Sequence, residues 1–407
     1  MPESQSGLSS VRRDWVDARP FGISPLSKQH LTNLDGVRGL AILLVLLVHL
    51  DVMKPQTPFE QSVHNALASG WIGVDLFFVL SGMLITGILL DNKGHRNYYL
   101  NFYARRALRI LPLYILILIF SLYILPAIPH PKADRFNQVQ GDELWYWFFL
   151  QNYRMAMFPE PRHGIMDVTW SLAIEEQFYL IWPFVVSLLN QKRLAFLAVS
   201  LMILSLSLRI AMLESDAMPW SVYVLTPTRL DGLSAGALIA ILLRSYPRSR
   251  LEPIAKILLA VGLISCAILW NMTGGLIWND FAVQSIGSNC VTILFGATVL
   301  WATLLGGQTS IWNKLFSSRF LTHLGIISYS LYLTHLPIRA AIRDIVIRPD
   351  AFPQWWGGTL MAQLIFYVVA GTVCICVAHL IFVFIERPIL RLKTMIRAQP
   401  IERPSAT

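Results

Sequence analysis

The sequence predicts an all-α polytopic membrane protein with about ten transmembrane helices and both termini cytosolic, and three observations predict it. Composition comes first: 55% of the 407 residues are hydrophobic and 14% are charged. The mean hydropathy of +0.54 is too high for an ordinary soluble domain. Second, the apolar residues gather into runs of about twenty, long enough to cross a hydrocarbon core of roughly 30 Å as helices. Third, basic residues fill alternate connections between these runs, which is the positive-inside pattern. That distribution accounts for the net charge of +9 better than a nucleic-acid partner does, because no polar domain carries a basic face.

Taken in order, residues 1–33 form a polar tail containing Pro20 and Pro25. It lacks the basic, apolar, small-residue succession of a cleavable signal and is expected in the cytosol. Spans are expected at 34–53, 71–91, 108–129, 169–189, 193–213, 228–244, 253–271, 285–305, 324–345 and 359–385, within one membrane domain over 34–388. A second cytosolic tail is expected over 389–407. This topology puts 22 of the 33 Lys and Arg residues inside, although Arg343 and Arg348 fall outside and run against the bias. The longest connection, 131–168, lies outside and contains Trp145, Tyr146, Trp147, Phe148 and Phe149. Those aromatics read first as an interfacial anchor and second as a platform for a sugar or lipid acceptor. Cys266, Cys290, Cys374 and Cys376 lie in apolar runs as small hydrophobes, without the spacing of a metal site.

Ionisable groups at membrane depth are costly unless they face a polar interior, so each is a functional candidate. Arg38 and His49 are separated by roughly 16 Å along the first helix and about 20° around it, so they share a face. Asp75, on the returning second helix, reaches about the depth of His49, where a carboxylate could fix the imidazole tautomer. Its plainer role is a structural pairing or a helix cap. Of Glu175 and Glu176 in the fourth helix, Glu175 shares a face with Ser171 and Tyr179. Arg105, Arg106 and Arg109 stand at the inner start of the third helix, and Arg106 and Arg109 can present forked donors to a phosphate from one face. An inner arginine cluster is otherwise a topology signal. Arg229 and Asp231 open the sixth helix, where Gly232 and Gly236 are spaced for close helix packing. Ser328, Tyr329, Tyr332 and His335 make the ninth helix polar, and His335 reads equally as a second proton carrier or as a hydrogen-bonded core residue.

The segments LDGVRGLAILLVLLVHL, GVDLFFVLSGMLIT, FYARRALRILPLY, WSLAIEEQFYLIWP, TRLDGLSAGALIA, ISYSLYLTHLPI and IERP follow one another along the chain. Together this ordered set resembles the membrane acyltransferase type 3 family, the multi-spanning O-acyltransferases of bacterial glycans, lipids and antibiotics. By that resemblance His49 matches the family's essential histidine, Arg38 the arginine upstream of it, and Arg106 and Arg109 its R-x-x-R motif. Glu175 and Asp75 match the acids of the fourth and second helices, while Met83 replaces an aromatic residue frequent after SG.

The resemblance implies a multi-pass enzyme of the bacterial cytoplasmic membrane. Its cosubstrate would be a cytosolic acyl-CoA, typically acetyl-CoA, and its acceptor a hydroxyl of an extracytoplasmic or membrane-associated glycan or glycolipid. No tightly bound cofactor and no metal are expected. His49 is then the catalytic base with Asp75 or Glu175 orienting it, although an acyl-histidine intermediate fits the same residues. Arg38, Arg105, Arg106 and Arg109 are the donor-binding candidates. Trp170, Ser171, Arg229, Asp231, Tyr332 and His335 are the substrate-binding candidates. Some members of the family carry a further extracytoplasmic hydrolase-like domain, and a second transfer step is expected here to require a separate protein. A transporter or channel for a small anionic solute would also keep acids, arginines and a histidine along a membrane path. The absence of repeated halves in the sequence weighs against it, and an inactive scaffold of the same fold is the third possibility.

Overall fold

The computed structural model describes residues 28–127, 139–306, 309–343, 354 and 358–396, and the regular elements among them are helical. Arg348, the first stretch of the 131–168 connection and most of both tails lie outside the described residues. The principal helices are α1 (Lys28–His49), α2 (Pro58–Ala68), α3 (Gly73–Asn92), α4 (Tyr98–Ile119), α5 (Thr169–Leu188) and α6 (Gln191–Glu214). They are followed by α7 (Leu230–Ser245), α8 (Arg248–Thr273), α9 (Ser288–Leu304), α10 (Arg319–Ile326), α11 (Ser328–Ala341) and α12 (Leu360–Ile381).

Among the described residues, seven helical stretches are long and apolar enough to cross a membrane, which makes this a multi-pass membrane protein. They are Thr32–His49, Pro58–Asn92, Tyr98–Ala127, Gln191–Glu214, Arg248–Thr273, Val283–Leu304 and Leu360–Arg391. The expected spans at 169–189, 228–244 and 324–345 are helical but fall short, for reasons visible in their sequences. Helix α5 carries Glu175 and Glu176, α7 has only 16 residues, and the ninth span divides at Ile327 into α10 and α11.

Helix α3 is the most buried of the spans, whereas α6, α8 and α12 turn most of their apolar side chains outward, as lipid-facing helices do. Two crossings set the centre of the bundle. Helix α3 packs along α7, where a Cβ on Gly82 would lie 1.9 Å from the Leu233 carbonyl oxygen and one on Gly236 would lie 2.1 Å from that of Val79. Helix α1 packs along α10 in the same way: a Cβ on Gly325 would meet the Asp35 carbonyl oxygen at 1.8 Å. Helix backbones approach this closely only where side chains are missing. Met83, on α3, packs its sulfur against Thr303 of α9 and lines neither of the cavities described below.

Buried ion pairs lock α3 and α7 together near their first turns. Arg229 donates to Asp75 at 2.7 Å, and Arg209 lies 2.9 Å from Asp231 while donating to the Thr228 carbonyl and to Asn289. Each charge is surrounded by protein and each has its counter-ion, which is the condition for holding ions at membrane depth. Between α4 and α5, the short helices Glu143–Trp147 and Gln151–Met155 are tied down by buried amides. Gln151 donates to the Thr169 carbonyl, and Asn152 to Val224 and Thr226. Of the aromatic group here, Tyr146 is buried and Phe148 is exposed.

Candidate active site

Some of the polar residues of the bundle line two cavities that share Val74 and Tyr332. The larger, of about 480 Å³, opens around His49, the last residue of α1. The smaller, of about 90 Å³, lies toward the other end of the bundle and is lined by Arg38, Arg106 and Arg109. Arg38 and His49 therefore occupy one stripe of α1, as their spacing requires, and each faces a different cavity.

Around His49 the hydrogen-bond partners constrain the tautomers. His335 Nδ1 lies 3.1 Å from the Leu331 carbonyl oxygen, which can only accept, so Nδ1 carries the hydrogen. A neutral His335 then has a lone pair on Nε2, and this atom is 3.0 Å from His49 Nδ1. With both rings neutral, His49 then donates through Nδ1 and keeps a lone pair on Nε2, and His49 lines the cavity. The two rings are 4.9 Å apart. His335 itself is fully buried behind His49 and does not line the cavity.

Neither acid considered at the sequence level meets His49. Asp75 is held by Arg229, and Glu175 accepts from Ser81 at 2.6 Å in the smaller cavity. The orienting partner is a second histidine because α11, packed along α1, brings His335 to the height of His49, whereas Asp75 turns toward α7. Arg229 and Asp231 do not line either cavity; they belong to the two ion pairs. The guanidinium of Arg229 instead sits 5.0 Å from the Tyr223 ring centre and 5.8 Å from that of Trp170, beneath the aromatic wall of the His49 cavity.

That wall is the largest feature the sequence did not indicate. Trp71, Trp170, Trp220, Tyr223 and Trp278 line the cavity and pack on one another, Tyr223 touching the other four at centroid distances of 4.8 to 5.8 Å. They come from four separate segments, so no local pattern announces them. Trp71 is further fixed by donation to the Leu276 carbonyl at 2.8 Å. The rim is completed by residues 161–168, held by a hydrogen bond from the His163 amide to Asp167 and by His163 Nε2 at 3.5 Å from Asp142, which in turn pairs with Arg154.

In the smaller cavity Ser171, Glu175 and Tyr179 stand together, one helical turn apart on α5. The Arg106 guanidinium lies 4.2 Å above the Tyr179 ring. Arg109 pairs with Glu386 at 3.2 Å, and Glu386 also accepts from Ser330. Glu386 is the acid of the closing IERP segment, and a π-helical turn at Phe382–Glu386 places it. Arg105 points away, donating twice to the Ile396 carbonyl. At the junction of the two cavities the Tyr332 hydroxyl donates to the Val168 carbonyl at 2.8 Å and lies 2.6 Å from Ser171 Oγ.

These features define a multi-pass membrane protein with an interior polar site divided into a histidine-bearing and an arginine-bearing half. The chain belongs to the membrane acyltransferase type 3 family: residues 31–381 match the family described as an acyltransferase domain. It is 29% identical over 396 residues to the peptidoglycan O-acetyltransferase OatA of Listeria monocytogenes, covering 89% of this chain and 56% of that protein. It is 30% identical over 385 residues to a putative peptidoglycan O-acetyltransferase, YrhL, of Bacillus subtilis, covering 89% and 55%. With the O-acetyltransferase OatA of Staphylococcus aureus the identity is 29% over 381 residues, covering 89% and 58%. The chain thus spans a little over half the length of these relatives. No solved structure matches it.

Proposed function

We propose that this protein is a membrane O-acyltransferase that moves an acyl group, typically acetyl, from a cytosolic acyl-CoA to a hydroxyl of an extracytoplasmic or membrane-associated glycan. The single observation that carries the proposal is the histidine pair, in which His335 can accept from His49 Nδ1 so that Nε2 can serve as the base, with His49 lining an aromatic-walled cavity. Tryptophan and tyrosine faces suit the apolar faces of a sugar ring, and the relatives' names, peptidoglycan O-acetyltransferases, point to a glycan acceptor.

In this reading the acceptor hydroxyl gives its proton to His49 Nε2 as its oxygen attacks the thioester carbonyl. The new carbon–oxygen bond forms, the carbon–sulfur bond breaks, and the CoA thiolate takes the proton from the imidazolium. His335 supports the transient charge through the Nδ1 hydrogen bond. Arg38, Arg106 and Arg109 supply positive charge for the CoA phosphates on the cytosolic side, and the acyl arm passes Tyr332 and Ser171 to reach His49. The same proposal includes a ten-span topology in a bacterial inner membrane, with α5, α7 and α11 crossing as the polar interior helices and both termini in the cytosol.

The test is thiol release from acetyl-CoA by the purified protein with and without a glycan acceptor. Release that requires the acceptor, and that falls by about 10²–10⁴ in His49→Ala, is expected. Solute flux in liposomes without thiol release would establish a transporter instead, and undiminished turnover in His49→Ala would remove His49 from the chemistry.

A further inference from the structure

Among the described lining residues of the His49 cavity there is one carboxyl group, that of Asp167, and the reaction proposed above leaves it without a role. Its position is set from several sides. The His163 amide donates to Asp167 Oδ1 at 3.0 Å, and the amides of Arg162 and Gly164 also act on the carboxyl group. One residue on, the Val168 carbonyl accepts from the Tyr332 hydroxyl at 2.8 Å, and the Thr169 carbonyl accepts from Gln151 at 2.9 Å. Trp170 follows within one helical turn and belongs to the aromatic wall, packed 4.8 Å from the Tyr223 ring. A held carboxyl group, a stacking surface and His49 therefore share one cavity.

We propose that Asp167 binds the acceptor, its carboxyl group taking a hydrogen bond from a hydroxyl or acetamido N–H of the pyranose whose neighbouring hydroxyl is acylated at His49. This deepens the acyltransferase reading and rests on it. An aromatic wall holds the apolar face of a sugar ring but offers little to the O–H and N–H donors at its edge. An ionised carboxyl group accepts only, through two oxygens, and so supplies what that edge requires. In a recess of low dielectric such a bond is stronger than in water. The backbone amides orient the carboxyl group before the sugar arrives, so binding has less ordering to supply. Burial pushes Asp167 up to about 7, and at about pH 8 the accepting carboxylate is the main form.

Equilibrium binding of an N-acetylglucosamine tetrasaccharide to the purified full chain at about pH 8 tests this, with acetyl-CoA as a second ligand measured on the same samples. Asp167→Asn keeps an oxygen for the amides of 162–164 and removes the charge. It is expected to weaken tetrasaccharide binding about tenfold while acetyl-CoA binding stays within about twofold. Asp167→Glu, which restores a carboxylate on a longer arm, should regain part of the loss. Unchanged tetrasaccharide affinity in Asp167→Asn, an equal loss for both ligands, or no tetrasaccharide binding by the unaltered protein overturns the proposal. A second measurement needs no variant. Saturating tetrasaccharide should slow carbodiimide labelling of Asp167 in the unaltered protein, read by mass spectrometry, and an unchanged labelling rate contradicts the contact. Acceptor-dependent thiol release from acetyl-CoA judges the acyltransferase reading separately, because neither binding nor labelling depends on turnover.

Discussion

In the proposed reaction His49 can act as a base through Nε2 only if its proton sits on Nδ1, and His335 is placed to accept from that nitrogen. Replacing His335 with alanine removes the acceptor for His49 Nδ1–H while leaving the base in place. Turnover in the proposed reaction is therefore expected to drop by about 10²-fold with KM little changed, and the pH–rate profile should move. His335→Gln, whose side-chain oxygen can accept the same hydrogen bond, should restore part of the loss. Steady-state kinetics across pH checks both, and equal activity in the alanine and glutamine variants would contradict a positioning role. A second prediction concerns Asp167, in the connection before α5. Its folded pKa of about 7 is raised by burial, with backbone donors from 162–164 opposing the rise. Its unfolded value is about 3.9. Between those values the folded protein holds the proton more tightly than the unfolded chain, so stability declines as pH climbs from about 4 to 7. Asp167→Asn should flatten that decline in thermal melts over pH 5 to 8, and a slope identical to that of the unaltered protein would refute it. Much at this scale was legible early: Arg38 and His49 on one face, and Ser171, Glu175 and Tyr179 on another, follow from helix periodicity alone. The His49–His335 contact was not, because it joins residues 286 positions apart through the packing of two helices.

At the scale of elements, helix positions were readable because hydrophobic length is a local property, while their partners were not. Gly236 shows the difference. Its spacing from Gly232 advertises a close crossing, but the sequence does not say that the opposing glycine is Gly82, on a helix some 150 positions away. The crossing makes a direct prediction. Gly82→Ala forces a methyl group into the Leu233 carbonyl oxygen and should destabilise the protein by about 1–3 kcal/mol, with a lower melting temperature in detergent. Gly371→Ala, in α12, meets nothing within 4 Å and should be neutral or stabilising by up to about 1 kcal/mol. If both variants melt alike, backbone contact is not what sets α3 against α7. The helices that missed the length and hydropathy of a simple span, α5, α7 and α11, are also those that carry Glu175, Asp231 and His335. Polar residues that weaken a span as a membrane signal are tolerated where neighbouring helices enclose them.

For the whole molecule, the proposed topology places the two ends of α6 on opposite sides of the membrane. Single cysteines at Asn190 and Asp216, in a chain with its native thiols replaced, should react with an impermeant maleimide from the cytosolic side and the outer side respectively. Labelling of both from one side would rule the arrangement out. The two cavities add a constraint that belongs to the bilayer more than to the chemistry. A membrane stores energy as a proton gradient, and an open aqueous bore would discharge it. Here the recesses share only the side chains of Val74 and Tyr332, with the tyrosine hydroxyl clasped to Val168 and Ser171. In the proposed reaction Tyr332 would be an electrical seal as much as a wall, letting the bundle admit reactants from two compartments while remaining an insulator.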